Sequence, residues 1–259
     1  MVSFLSGPYL EGWRIFGVGA SARGIMRQMS SRVIWFCAVL GAVASASGSA
    51  GPDALMRAME ECDLELTRRP NEPELFRRRG ELHFMMCKIL ESVADFDREV
   101  SLSPETGPHH WQRGISLYYA GEFARGRAQF EWHRSVNPDD VENAAWHFFC
   151  VARAEGLVAA RAALIPIDRA RDRRVPMAEI YALLAGTGEE GAVVAAAEEE
   201  IPGRRRQALQ YAHLYLGLWH EINGRAALAL EHVRRSAEEF GMGHYMGAVA
   251  RTHLMLRAR

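Results

Sequence analysis

The chain of 259 residues has almost no surplus of charge: 31 basic and 32 acidic side chains leave a formal net charge of -1. The two signs are interspersed, so no global field draws the protein to nucleic acid or to an anionic membrane, and neither is expected as a partner. Alternating runs of β-branched residues are nearly absent, so nothing in the sequence asks for a sheet. There are 4 cysteines, none in the C-x-x-C spacing of a structural zinc site. A P-loop and a G-x-S-x-G elbow are both missing. His220-Glu221 begins like H-E-x-x-H, but Gly224 stands where the second histidine would be, so no zinc-protease site follows.

A long apolar run is missing too. Val33 to Ala44 is uncharged and apolar but only about twelve residues long, against the roughly twenty that cross a bilayer as a helix. Arg32 precedes it, and Ala44-Ser45-Ala46 has the small-x-small pattern of a cleavage site. These features predict an export signal over about Met29–Ala46, with the biological start at Met26 or Met29, and a protein acting in the periplasm or outside the cell. Cys37 follows the bulky Trp35 and Phe36, which does not fit a lipoprotein signal. No stable membrane anchor is expected. Cleavage after Ala46 leaves Cys62, Cys87 and Cys150, expected as buried thiols among apolar neighbours, with a Cys62–Cys87 disulfide as the alternative.

What is present is hydrophobic mass, 49% of residues, with 24% charged, enough for a sizeable core. Alanine, leucine, arginine and glutamate dominate after the first fifty residues, and local preference is helical almost throughout. The expected fold is all-α.

One period organises it. Gly80 and Gly114, Phe96 and Phe130, and Pro104 and Pro138 are each separated by 34 residues. An aromatic, then glycine, a small residue, phenylalanine and proline follow in the order of W-x2-L-G-x2-Y…A-x3-F…P, and on these residues the chain resembles the tetratricopeptide repeat family. That resemblance implies antiparallel helix pairs stacked as a right-handed α-solenoid with a concave groove. Two clear units cover residues 73–106 and 107–140, the second carrying the turn Ala120 to Phe123. A third, at 210–243, has Gly217, Ala229 and the turn Asn223-Gly224. Residues 141–209 are a degenerate middle in which Phe148 replaces the glycine. The segment from Pro52 to Pro70 reads as a lone second helix capping one end, and a helix over roughly 243–257 as a cover for the other. The organisation is thus an N-terminal extension and signal over 1–46 and one repeat domain over 47–259. The order of clear repeats, loose middle and late unit also resembles bacterial envelope repeat proteins of the NlpI type, which implies an envelope adaptor.

In tetratricopeptide repeats, fixed unit positions line the groove. Carried onto the two clear units they include Arg77, Glu81, Phe84, Trp111, Ile115, Tyr118 and Tyr119, an aromatic floor beside charged edges. Rigid aromatic area and bidentate arginine suit an extended peptide or a partner helix. The same aromatics could instead pack against a neighbouring helix of the chain.

Other features invite a chemical reading. GTGEEG, Gly186 to Gly191, matches G-x-G-x-x-G, but YALLA before it reads as helix where a dinucleotide site needs a strand, so a turn between helices is expected. His109, His110, His133 and His147 fall at different register positions and are assigned to packing and surface roles. The basic runs Arg77-Arg78-Arg79, 169–174 and Arg204-Arg205-Arg206 read as solvated faces diluted by nearby acids. The expectation is an exported, non-enzymatic scaffold binding a protein or peptide in its groove, with no catalytic residue, metal or cofactor. An enzyme or enzyme subunit using the histidines or residues 141–200 is the alternative.

Overall fold

A computed structural model describes residues 51–168 and 170–258, so the export signal, Cys37 and both candidate start methionines lie outside the described residues. Among those described the regular elements are all helices, and no strand occurs. In chain order they are α1 (Pro52–Arg68), α2 (Pro73–Met85), α3 (Ile89–Leu102), α4 (Trp111–Tyr119), α5 (Phe123–His133), α6 (Val141–Glu155), α7 (Leu157–Ala162), α8 (Met177–Ala185), α9 (Glu190–Glu199), α10 (Pro202–Ile222), α11 (Ala226–Arg234) and α12 (Tyr245–Arg257). A 3-10 turn, Pro104–His109, leads into α4, and a π turn, Arg235–Glu239, extends α11. None of the described helices is long and apolar enough to cross a membrane.

Punctuation in the sequence sets these bounds. Proline opens α1, α2 and α10, where its missing N–H would be unpaired anyway. Gly121 and Gly224, at φ +77° and +71°, turn the chain between α4 and α5 and between α10 and α11, a conformation other residues reach only with strain. GTGEEG is the turn between α8 and α9, with Gly186 ending α8 in the left-handed region.

Neighbouring helices pack as pairs: α2 with α3, α4 with α5, α6 with α7, α10 with α11. The fold is an α-solenoid, and the glycines hold equivalent places in it. A Cβ on Gly80 would sit 2.7 Å from Phe96 Cδ1, and one on Gly217 would sit 2.4 Å from Val233 Cγ2. In each case a glycine on the first helix admits the side chain sixteen positions later on the second.

An electrostatic ladder runs at the same period. Arg79 donates to Asp63 on the preceding helix (3.0 Å) and to Asp95 on its own partner helix (2.7 Å). One period on, Arg113 donates to Asp97 (2.7 Å) and to Gln129 (2.6 Å). One period further, His147 lies 3.3 Å from Glu131. Each rung ties a first helix to the second helix before it, so the ladder stitches successive units together.

The middle departs from this pattern. α6 is buried without a break from Asn143 to Val151, because α4, α5, α7, α8 and α10 all pack on it. A helix apolar on every side belongs at the centre of a core. Phe148, wholly buried, fills the place that glycine holds elsewhere, and its second helix, α7, is only 6 residues long. The late unit begins at Pro202, ahead of the boundary at 210 suggested by its motif.

The last helix does more than cover an end. α12 packs on α11 and also reaches back to α2, where Thr252 Oγ1 donates to the Phe84 carbonyl (3.2 Å). Cys62 and Cys150 are buried thiols; Cys62 donates to the Leu75 carbonyl (3.3 Å) and is not half of a disulfide to Cys87. Cys87 is half-buried at φ +57°, at the turn between α2 and α3.

Candidate functional site

Phe84, Trp111 and Tyr119, three of the residues expected to line the groove, lie against α12. Tyr245 stacks on Phe84 (centroids 5.5 Å apart) and meets Trp111 edge-on (5.1 Å). Tyr119 is 2.9 Å from His253 Nδ1 through its hydroxyl. Burial holds the His253 imidazole neutral, with its pKa lowered to about 4, and keeps Tyr119 protonated; with the ring hydrogen on Nε2, 3.4 Å from Glu221, the phenol donates to Nδ1. Ile115 and Tyr118 are fully buried beneath this layer. Arg77 is engaged by Glu74 and by Glu81 (3.1 Å), and Glu81 also accepts from Gln112 (3.3 Å). Phe84, Trp111 and Tyr119 are therefore covered by the chain's own last helix.

Trp111 also lines a cavity. The space, about 470 Å³, is walled by Trp111, Trp146, Tyr211 and Tyr245, with Asp140, Glu142, Asn143 and His244 among its polar lining. Its volume lies within the range of ordinary ligand sites. Five helices contribute: α4, the end of α5 with the loop after it, the start of α6, the first half of α10, and the start of α12.

Behind the cavity stands a carboxylate cluster. Arg174, on the loop before α8, pairs with Asp140 (2.5 Å), Asp172 (2.6 Å) and Glu142, so three carboxylates share one guanidinium. Tyr215 donates to Glu142 (2.8 Å). Burial nevertheless pushes the Glu142 carboxyl up to about 7, against the pull of Arg174. Several buried polar atoms of cavity-lining residues have no hydrogen-bond partner within the chain: Trp146 Nε1, Asn143 Oδ1 and His244 Nε2. Trp146 and Asn143 are only 2% and 3% exposed, so water gives them little compensation.

The histidines singled out in the sequence are spread apart. His110 is buried against Glu99 (2.5 Å), His133 donates to the Pro108 carbonyl (2.8 Å), His147 faces Glu131, and His109 is exposed. His213, His220 and His232 do come together, with His213 and His232 joined Nδ1 to Nδ1 at 2.8 Å. Among the described residues no group of three or more His, Cys, Asp or Glu is arranged to hold a metal ion. The run Arg77-Arg78-Arg79 is spent on Glu74, Glu61, Asp63 and Asp95.

No protein-family model matches the chain. A stretch of 99 residues, 38% of the chain, is 25% identical to the protein named Protein SGT1 homolog of Bos taurus. It covers 29% of that protein, so the chain spans less than a third of the relative's length.

Sequence reasoning missed most of the cavity. Trp146 and Glu142 sit in the degenerate segment, Tyr211 opens the late repeat, and Arg174 belongs to a basic run read as a solvated face. Tyr215 and Glu142 are 73 residues apart, a separation unrelated to the repeat period. The signal available was the density of aromatics in ENAAWHFF and YAHLYLGLWH, which no surface helix needs.

Proposed function

We propose that the chain is a non-enzymatic scaffold of the tetratricopeptide type that holds a segment of a partner protein on its inner face. The observation that carries this reading is the seating of α12: the face made by Phe84, Trp111 and Tyr119, over the buried Ile115 and Tyr118, accepts a helix. Beyond that helix the same face continues into the cavity at Trp111. Phe84, Ile115, Tyr118 and Tyr119 form the floor that keeps α12 in place, Arg77 and Glu81 edge it, and the partner enters at Trp111. The signal-like segment at Met29–Ala46 supports action outside the cytoplasmic membrane.

Site-specific photo-crosslinking in the native compartment tests this. A crosslinker at Gln207, exposed at the cavity rim, is expected to capture a distinct partner, and Trp111→Ala to abolish the capture. The same group at Val158, 87% exposed on α7, should not capture it. Equal capture from both positions, or capture unaffected by Trp111→Ala, would overturn the reading.

A further inference from the structure

We propose that the cavity beside Trp111 is a receptor for an arginine or lysine side chain presented on an extended peptide of the partner. The inference deepens the scaffold reading and rests on it for the peptide's origin.

Charge points first to a cation. Asp140, Glu142 and Asp172 share the single guanidinium of Arg174, so even with the Glu142 carboxyl protonated one carboxylate is in excess, and Asp140 and Glu142 line the cavity while Arg174 does not. The walls add the aromatic rings of Trp111, Phe130, Trp146, Tyr211 and Tyr245, and ring faces attract organic cations most strongly where water is excluded. Asn143 supplies a further acceptor: its Nδ2 donates to the Phe130 carbonyl (3.1 Å), which leaves Oδ1 buried and unpartnered.

The unpartnered donors then distinguish a peptide from a free amine. Trp146 Nε1 is a donor only. His244 Nδ1 accepts from the Gly247 amide (3.3 Å), so in the neutral ring that burial favours, Nε2 carries the hydrogen. Two buried, unpartnered N–H groups on residues of the same cavity wall call for carbonyl oxygens, which a polypeptide backbone has and a simple polyamine lacks. A side chain whose cationic head meets Asp140 and Glu142, and whose flanking carbonyls meet Trp146 and His244, satisfies both sets.

Titration of the purified full chain by tryptophan fluorescence tests the assignment with four probes. These are N-acetyl-arginine methylamide, N-acetyl-lysine methylamide, the neutral isostere N-acetyl-citrulline methylamide, and 1,4-diaminobutane. Arginine or lysine is expected to bind at least about tenfold more tightly than citrulline, as one charge-assisted contact in a shielded site allows. Diaminobutane is expected to bind more weakly than either. Asp140→Asn with Glu142→Gln should erase the preference while thermal unfolding shows a folded protein; should that pair not fold, Asp140→Asn alone should reduce it. Citrulline binding as well as arginine, a preference that survives in the folded variant, or no response to either cationic derivative would overturn the proposal. Diaminobutane binding as tightly as arginine would overturn the peptide as source. Crosslinking of a partner from Gln207 is independent of these outcomes, so loss of the cation preference alone leaves the scaffold reading standing.

Discussion

Gly114 on α4 and Phe130 on α5 meet so closely that a Cβ at position 114 would lie 2.6 Å from the ring Cζ. Phe130 is 1% exposed, so the crossing is closed to solvent. Two helices cross here at backbone distance because one of them lacks a side chain. Alanine would gain about 1 kcal/mol of helix propensity over glycine, yet overpacking a closed core costs about 1–3 kcal/mol and grows with side-chain size.

Gly114→Val is accordingly expected to destabilise the protein by about 2–3 kcal/mol in urea unfolding. Adding Phe130→Leu should recover part of that loss, because the two positions share one volume. Gly191→Ala, which has nothing within 4 Å, should change stability by less than about 0.5 kcal/mol. Additive losses at 114 and 130 would contradict the shared-volume account.

The rungs of the ladder differ in depth. Asp95 is 7% exposed and Arg79 26%, so Arg79→Met leaves a nearly buried carboxylate with only His83 (2.9 Å) beside it. The expected cost is about 2–3 kcal/mol, below that of breaking a wholly buried pair because Arg79 is partly hydrated. Arg171, 70% exposed in its pairs with Asp139 and Asp168, should cost less than about 0.5 kcal/mol on the same change. Equal costs at the two positions, measured by chemical denaturation, would rule out the ladder as a structural tie.

Acid should loosen the fold well above the usual carboxylate range. Burial lowers the pKa of His147, His213, His220, His232, His244 and His253, in His213 and His253 to about 4. Unfolded, each titrates near about 6.5, so as pH falls below that value the unfolded chain takes up protons that the folded one refuses. Stability that is complete above about pH 6.5 is then lost towards pH 4. Glu81 and Glu142, raised by burial, work in the opposite sense over part of this window, since the folded form protonates them first. Six groups outweigh two, so the urea midpoint should fall steadily between pH 7 and about 4.5. A His213→Phe variant should flatten the slope, and a midpoint that rises on acidification would refute the balance.

Tyr245 is a single side chain through which α12 meets both α2 and α4. Tyr245→Ala should cost about 2–4 kcal/mol, somewhat less than a full core aromatic because the residue is half-buried. The distinguishing readout is local: amides of α12 should lose hydrogen-exchange protection, while those of α3 and α5 keep theirs. Uniform loss across the chain would show α12 to be no separate layer.

Much of this architecture was legible in the chain itself. Gly80, Gly114 and Gly217, each followed sixteen residues later by Phe96, Phe130 or Val233, encode the helix crossings, because a missing Cβ and the side chain that fills its place are both written in residue types. The turns at Gly121 and Gly224 were equally readable, since positive φ selects glycine. Arg79 and Arg113 also keep the period, yet a charged run reads the same whether it is solvated or bridged to the next helix.

Local sequence therefore determined that the chain is helical, where its helices turn, and at what interval the pairs recur, because propensity, capping and close approach act over a few turns of helix. Tertiary structure alone decided what the inner face holds. Tyr245 and His253 reach Phe84, Trp111 and Tyr119 from more than 120 residues away, and Arg174 gathers Asp140 and Glu142 across a loop that carries no repeat. Such meetings depend on the curvature and length of the whole stack, a sum of many small packing angles that no single stretch of sequence contains.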